Sequence, residues 1–195
     1  MGCIALVGIV GCNSGSASPP SGSTTTPATS TAPKSEIANP LDPSKVASDV
    51  CTAFTDAQLA PYLGALTGKD PKTIDNGPLC TYRPQNPTGP TVGAAVVNIA
   101  APTQDLLYQS QGNFPWRQKI SAIAGYPAVN ASTAQNPSDP AQGGDCSTDV
   151  AINDKQYIGV DFSATDTSDP NFTKPCTVSE ALAAIMIQNI HAGGS

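Results

Sequence analysis

The sequence predicts an α+β domain, an antiparallel sheet with helices packed on it, in the order α-β-β-α-β-β-β-α. Three observations lead there. Thr148 to Ile152 and Gln156 to Phe162 alternate apolar and polar residues on either side of Asn153-Asp154, the pattern of a hairpin. Helix-start signals stand near the two ends of the folded stretch. Between them lie apolar runs too short for helices and bounded by Pro, Gly and Asn.

Taken in order, Asp42-Pro43-Ser44 reads as a helix start, and Val46, Val50 and Phe54 follow at i, i+4 and i+8. Thr55-Asp56-Ala57-Gln58 matches a capping box and begins a second short helical turn through Leu59, Tyr62 and Leu63, which Pro61 keeps short and Gly64 stops. Leu79 to Arg83 and Thr91 to Ile99 read as strands. Pro102-Thr103-Gln104-Asp105 opens a helix carrying Leu106, Leu107 and Tyr108 and ending near Gly112. A strand from Ala124 to Ser132 precedes a Pro/Gly/Asn loop from Gln135 to Gly144, and the hairpin follows. Thr177-Val178-Ser179-Glu180 reads as another capping box. It starts an amphipathic helix with Val178, Leu182, Ile185, Met186 and Ile190 on its apolar stripe and Gly193 at its end.

Ahead of this lies a different kind of chain. Ile4 to Gly11 are apolar or glycine, Cys12 follows, and no Val, Ile, Leu or aromatic residue appears again until Ile37. The apolar run falls short of the ~20 residues a spanning helix needs. N-myristoylation wants Ser or Thr at the sixth position, where Leu6 stands. An ordinary signal peptide fits the apolar length. A bacterial lipoprotein signal fits the detail, because Ile9-Val10-Gly11-Cys12 has the branched apolar residue, the small residue before the cysteine and the thiol that such a lipobox requires. The competing structural role, a buried N-terminal strand with Cys12 as a core thiol, would leave that strand beside some two dozen solvated residues with nothing to pack on. No Lys or Arg precedes the apolar run, so the true start is expected upstream of Met1. Asn13 to Ser35 is a low-complexity Ser/Thr/Pro/Gly/Ala stretch that cannot offset its ordering entropy by burial. The expected organisation is a signal over residues 1–12 with lipidation at Cys12, a disordered tether over 13–41, and one α+β domain over 42–195.

With Cys3 lost with the signal and Cys12 lipidated, Cys51, Cys80, Cys146 and Cys176 remain. An even number in an exported domain implies two disulfides, with three connectivities open. The favoured pairing joins Cys51 to Cys176, first helix to last, and Cys80 to Cys146, strand to strand. No two of these cysteines have zinc-site spacing, and the one histidine is His191.

The chain carries a net charge of −6 with nine Lys and Arg scattered along it. That leaves no basic face for nucleic acid and no polybasic membrane patch. A nucleophile elbow, a phosphate loop and a dinucleotide fingerprint are all missing from the sequence. His191 falls in the last turn of the last helix, where the helix dipole favours it as a solvated residue. Asp139, Asp145, Asp149, Asp161, Asp166 and Asp169 gather late in the chain without the alternating ligand order of a calcium loop, and turn formation explains them. Trp116, in Asn113-Phe114-Pro115-Trp116-Arg117, is the one apolar stretch in a loop context; it is a candidate rim of a ligand or partner surface, and plugging an edge of the core is its favoured role. Asn130-Ala131-Ser132 and Asn171-Phe172-Thr173 are glycosylation sequons that a bacterial lipoprotein would not use.

Together the lipobox, the tether, Cys51 before a short capped helix ending at Gly64, Cys80-Thr81-Tyr82, Gly125-Tyr126-Pro127-Ala128, a mid-hairpin Cys146 and Pro175-Cys176 opening the last helix resemble the LprB/LprC-like lipoproteins of actinobacteria, a domain family of unknown function. The resemblance runs from about Ser48 to Ile190, and departs from the family at Tyr82, where Trp is usual, and at Val50, which replaces a Pro. The order of elements is also similar to the Mog1/PsbP-like fold. The resemblance implies an extracytoplasmic domain on the outer face of the cytoplasmic membrane and supplies no chemistry. The expected function is therefore that of a non-enzymatic, monomeric surface lipoprotein without cofactor, held to the membrane through Cys12 and binding an envelope protein or other envelope component. The alternative is a carrier or sensor with an apolar cavity for a lipid or small hydrophobe.

Overall fold

The computed structural model describes residues 37–100, 102–110, 114–133 and 143–193. Within them the α+β architecture is present as one seven-stranded antiparallel sheet with helices on it. The elements are α1 (Ser44–Ser48), a 3₁₀ turn (Val50–Thr52), α2 (Asp56–Leu63), β1 (Leu66–Ile74), β2 (Gly77–Pro84), β3 (Thr91–Asn98), α3 (Gln104–Ser110), β4 (Trp116–Ile123), β5 (Tyr126–Ser132), β6 (Asp145–Asn153), β7 (Gln156–Ser163) and α4 (Pro175–His191). The strand order is β1-β2-β3-β7-β6-β5-β4. After β3 the chain crosses by way of α3 to the far edge, and the meander β4 to β7 brings it back beside β3.

The strands β1 and β4 do not show in the sequence pattern. Both are edges, and β1 (LTGKDPKTI) is solvated along most of its length, so it lacks the apolar alternation that burial of one face imposes. Pro71 sits in β1, where a missing N–H is tolerated because the strand is an edge. The stretch around Trp116 is the start of β4 and not a loop; Trp116 lies opposite Ser132 of β5 and is half-buried.

The first apolar stripe is one helix in the sequence and two pieces in the structure. At Asp49 the backbone turns to φ −146°, ψ 86°, and its carboxylate accepts the Cys51 N–H at 3.2 Å to cap the 3₁₀ turn. Val46, Val50 and Phe54 are nevertheless all buried. The Thr55 capping box forms in both directions, with Gln58 N–H donating to Thr55 Oγ1 at 3.2 Å and Thr55 N–H donating to Gln58 Oε1 at 2.9 Å. The second capping box does not form. Helix α4 begins at Pro175, whose missing N–H costs nothing at a first turn, and Glu180 accepts a hydrogen bond from Asn130 of β5 at 2.6 Å. On α4, Val178, Leu182, Met186 and Ile190 are buried as the stripe requires, joined by Ala183 and Ile187, while Ile185 is half-buried.

The two disulfides are Cys51–Cys80 and Cys146–Cys176, with Cα separations of 5.2 and 4.9 Å. This corrects the expected pairing of Cys51 with Cys176 and Cys80 with Cys146. Cys80 lies on β2 and Cys146 on β6, with β3 and β7 between them. Three strand spacings amount to ~14 Å, and a disulfide spans Cα atoms no more than ~7 Å apart. Each bridge instead fastens a helical segment to the strand beneath it.

Helix α4 packs on β6 and β7. Alternate residues of those strands, Val150 and Ile152, then Ile158, Val160 and Phe162, meet Leu182, Met186 and Ile187 in one buried layer. Tyr82 is fully buried between β2 and the 3₁₀ turn, its hydroxyl donating to Val50 O at 3.2 Å and its ring edge-on to Phe54 at 5.6 Å. Ile37 and Leu41, which the composition assigns to the tether, belong to this core. Leu41 N–H donates to Ile152 O at 2.8 Å, and Asn153 donates to Leu41 O at 2.8 Å. The packed domain therefore takes in chain ahead of Asp42.

Candidate functional site

Strand alternation leaves a second face on the sheet, opposite α4. On β7 it carries Tyr157, Gly159, Asp161 and Ser163, and on β6 Asp145, Ser147 and Asp149. Across the sheet, the register sets Thr81, Gly93, Asp161, Ser147, Ala131 and Arg117 side by side on neighbouring strands β2, β3, β7, β6, β5 and β4. Helix α3 covers the β4–β5 part of this face. Leu107 is fully buried there, the Arg117 guanidinium lies 5.0 Å from the centre of the Tyr108 ring, and Lys119 pairs with Asp105. Gln104 on the same helix donates to Ile120 O and Ala128 O, each at 2.8 Å.

Beside α3 the face opens into a cavity of about 440 Å³ lined by Phe114, Thr133, Gly143, Asp145, Cys146, Ser147, Asp161, Phe162 and Ser163. Its rim is held by a carboxylate clamp between two strand ends. Asp145 accepts the Thr133 N–H at 2.9 Å with one oxygen and the Thr133 hydroxyl with the other. Gly144 next to it adopts φ +65°, and a Cβ there would fall 2.2 Å from Ala164 O, so only glycine lets the chain pass.

On the cavity floor, Asp161 shares its register position with Ser147 on one side and Gly93 on the other. A Cβ at residue 93 would stand 3.1 Å from Asp161 Oδ2, so the glycine makes room for the carboxylate. Gly159 does the same for Asp149, with 3.0 Å to its Oδ1. Solvent reaches Asp161, yet protein atoms crowd it from the floor and walls. That crowding raises its pKa; the hydrogen bond from Ser147 pulls it down, and the charge of Asp145 adds to the rise. Tyr157, half-buried on the same face, is pushed up by burial and then by the charges of Asp149 and Asp161. Asp145, Ser147, Asp161 and Ser163 with Phe114 and Phe162 give the cavity a mixed polar and aromatic lining, the form a small binding site takes.

A family model matches residues 7–189 of this chain, described as protein of unknown function, DUF3558. The chain belongs to the DUF3558 family. No curated protein and no solved structure matches it.

In this DUF3558 domain the structure sorts the sequence's candidates. Cys12 and Asp139 lie outside the described residues. Of the late acidic residues, Asp145 and Asp161 meet at the cavity and Asp149 is buried on the same face. Asp166 and Asp169 instead accept the backbone N–H groups of Ser168 and Asn171 in turns. Among the described residues no three His, Cys, Asp or Glu side chains stand where they could hold a metal ion, and no helix is long and apolar enough to cross a membrane. His191 is exposed in the last turn of α4, its ring 6.4 Å from that of Tyr126. The sequon residue Asn130 is buried and hydrogen-bonded to Thr148 and Glu180, out of reach of a glycosyl donor. The residues that sequence reasoning missed are Gly93, Thr133 and Ser147, whereas Phe114 falls in the apolar stretch around Trp116. The alternation in CSTD and VDFS sets Ser147 and Asp161 off the apolar phase, but the register that brings them together is not a local property.

Proposed function

We propose that this DUF3558 member is an extracytoplasmic lipoprotein, anchored by a lipid on Cys12 to the outer face of the cytoplasmic membrane, whose monomeric domain is a non-enzymatic binding module for a protein or other component of the envelope. The observation that carries it is the junction at Cys12, a lipobox followed by Ser/Thr/Pro-rich chain and then a domain with two disulfides. The finer resemblance to LprB/LprC-like lipoproteins, and to a Mog1/PsbP-like fold, belongs to the same reading. Binding is assigned to the open face because Ile158, Val160, Leu182 and Met186 are fully buried where an internal carrier would keep its cavity. Mass spectrometry of the protein isolated from its native envelope tests the anchor. A mature chain beginning at Cys12 with a diacylglyceryl and an acyl group is expected, and Cys12→Ala moves the protein from the membrane to the soluble fraction. An unmodified mass at Cys12 overturns the reading.

A further inference from the structure

We infer that the cavity on the open face receives a positively charged nitrogen, an alkylammonium or guanidinium group carried by the envelope component. This rests on reading the domain as a binding module. Among the described residues the cavity is lined by two carboxylates and by no Lys, Arg or His. They are not equivalent. Both oxygens of Asp145 are taken by Thr133, so Asp145 contributes charge and shape. Asp161 is exposed on the cavity lining, and its carboxylate keeps acceptor capacity there.

Elsewhere on the domain some acidic side chains pair with cations, Asp56 with Lys69, Asp70 with Lys72 and Arg83, and Asp105 with Lys119, while Asp49, Asp166 and Asp169 accept backbone N–H groups. Among the described residues neither Asp161 nor Asp145 has such a partner. The cation nearest in register, Arg117, is turned to the Tyr108 ring two strands away from Ser147. Asp161 thus presents to the cavity a charge that no cation among the described residues balances, and an arriving cation balances it. Gly93 leaves the carboxylate uncrowded on the β3 side, and Phe114 supplies a ring face of the kind that attracts a desolvated cation. The same two negative charges repel phosphate and carboxylate ligands.

The test is an amide-resolved NMR titration of the purified full chain with methylguanidinium and with n-butylammonium, against methyl glucoside as a neutral polyol and sodium chloride at matched ionic strength. Saturable shifts at Ser147, Asp161 and Ser163 are expected with the two organic cations alone. Asp161→Asn, nearly isosteric, weakens that binding at least tenfold. Phe114→Leu weakens it about threefold, and Asp166→Asn, which removes an equal charge from a distant turn, leaves it unchanged. Shifts that persist undiminished in Asp161→Asn and Phe114→Leu overturn the inference. A cavity that responds only to methyl glucoside overturns it while sparing the binding-module reading, and a cavity that responds to no probe counts against both.

Discussion

The two faces of strand β7 sit on the same backbone and follow opposite rules. Toward α4 it presents Ile158, Val160 and Phe162, each fully buried or nearly so. Toward the other side it presents Tyr157, Gly159, Asp161 and Ser163, with a carboxylate, a hydroxyl and a glycine where a core would place branched side chains. On the first face, stability comes from apolar area removed from water, about 25 cal/mol per Å². The second gives up that gain over Asp161 and keeps a shaped, negatively charged cavity. An antiparallel sheet commonly leaves one face to water; what sets this open face apart is its cavity, and function is sought there.

The comparison breaks most severely at the covered face. Replacing Cys146 and Cys176 together with Ser removes the clamp that holds α4 on β6 across 30 residues of sequence. A loss of about 3–4 kcal/mol is expected from loop-closure entropy, read as a fall in the urea midpoint. Next comes a pair of adjacent substitutions on β7. Val160→Ala leaves a void against α4 and costs about 2 kcal/mol, whereas Asp161→Asn changes stability by less than about 0.5 kcal/mol. Chemical unfolding of both variants measures the difference; equal losses would mean that the open face is a second core.

The smallest effect is electrostatic. Carboxyl NMR should find Asp161 titrating above the ordinary 3.8, chiefly because it is crowded by protein. Asp70 should titrate below 3.8 because the Arg83 and Lys72 hydrogen bonds favour its charged form. The signs are opposite. The native state holds the Asp161 proton more tightly than the unfolded chain, so its contribution is full below 3.8 and fades as pH rises through the native value. Asp70 contributes above 3.8 and loses that contribution as pH falls through its native value. Asp161→Asn removes the first trend and leaves the second.

Much of the covered face was legible. The alternation of the β6–β7 hairpin and the stripe of α4 depend on which residues face water, and that periodicity is written locally. The Thr55-Gln58 capping box formed because both partners lie within one turn. The pattern at Thr177-Glu180 was identical in type and failed, because the helix starts two residues earlier at Pro175 and Glu180 bonds Asn130, 50 residues away. The edge strands β1 and β4 stayed hidden because solvation removed their alternation. On the open face, Asp161 was legible as an acidic residue, but its meeting with Ser147, Gly93 and the Thr133–Asp145 clamp was not.

By itself the sequence determined the α+β class, most of the elements, the even set of four cysteines in the folded stretch and the abrupt change of character at Cys12. These follow from composition, period and short-range capping. Only the tertiary structure decided which cysteines pair and which polar residues share a cavity. Both depend on the strand order β1-β2-β3-β7-β6-β5-β4, in which β7 returns to lie beside β3. That order is selected by burying the whole apolar face at once, a cooperative choice among long-range pairings that no short window of residues contains.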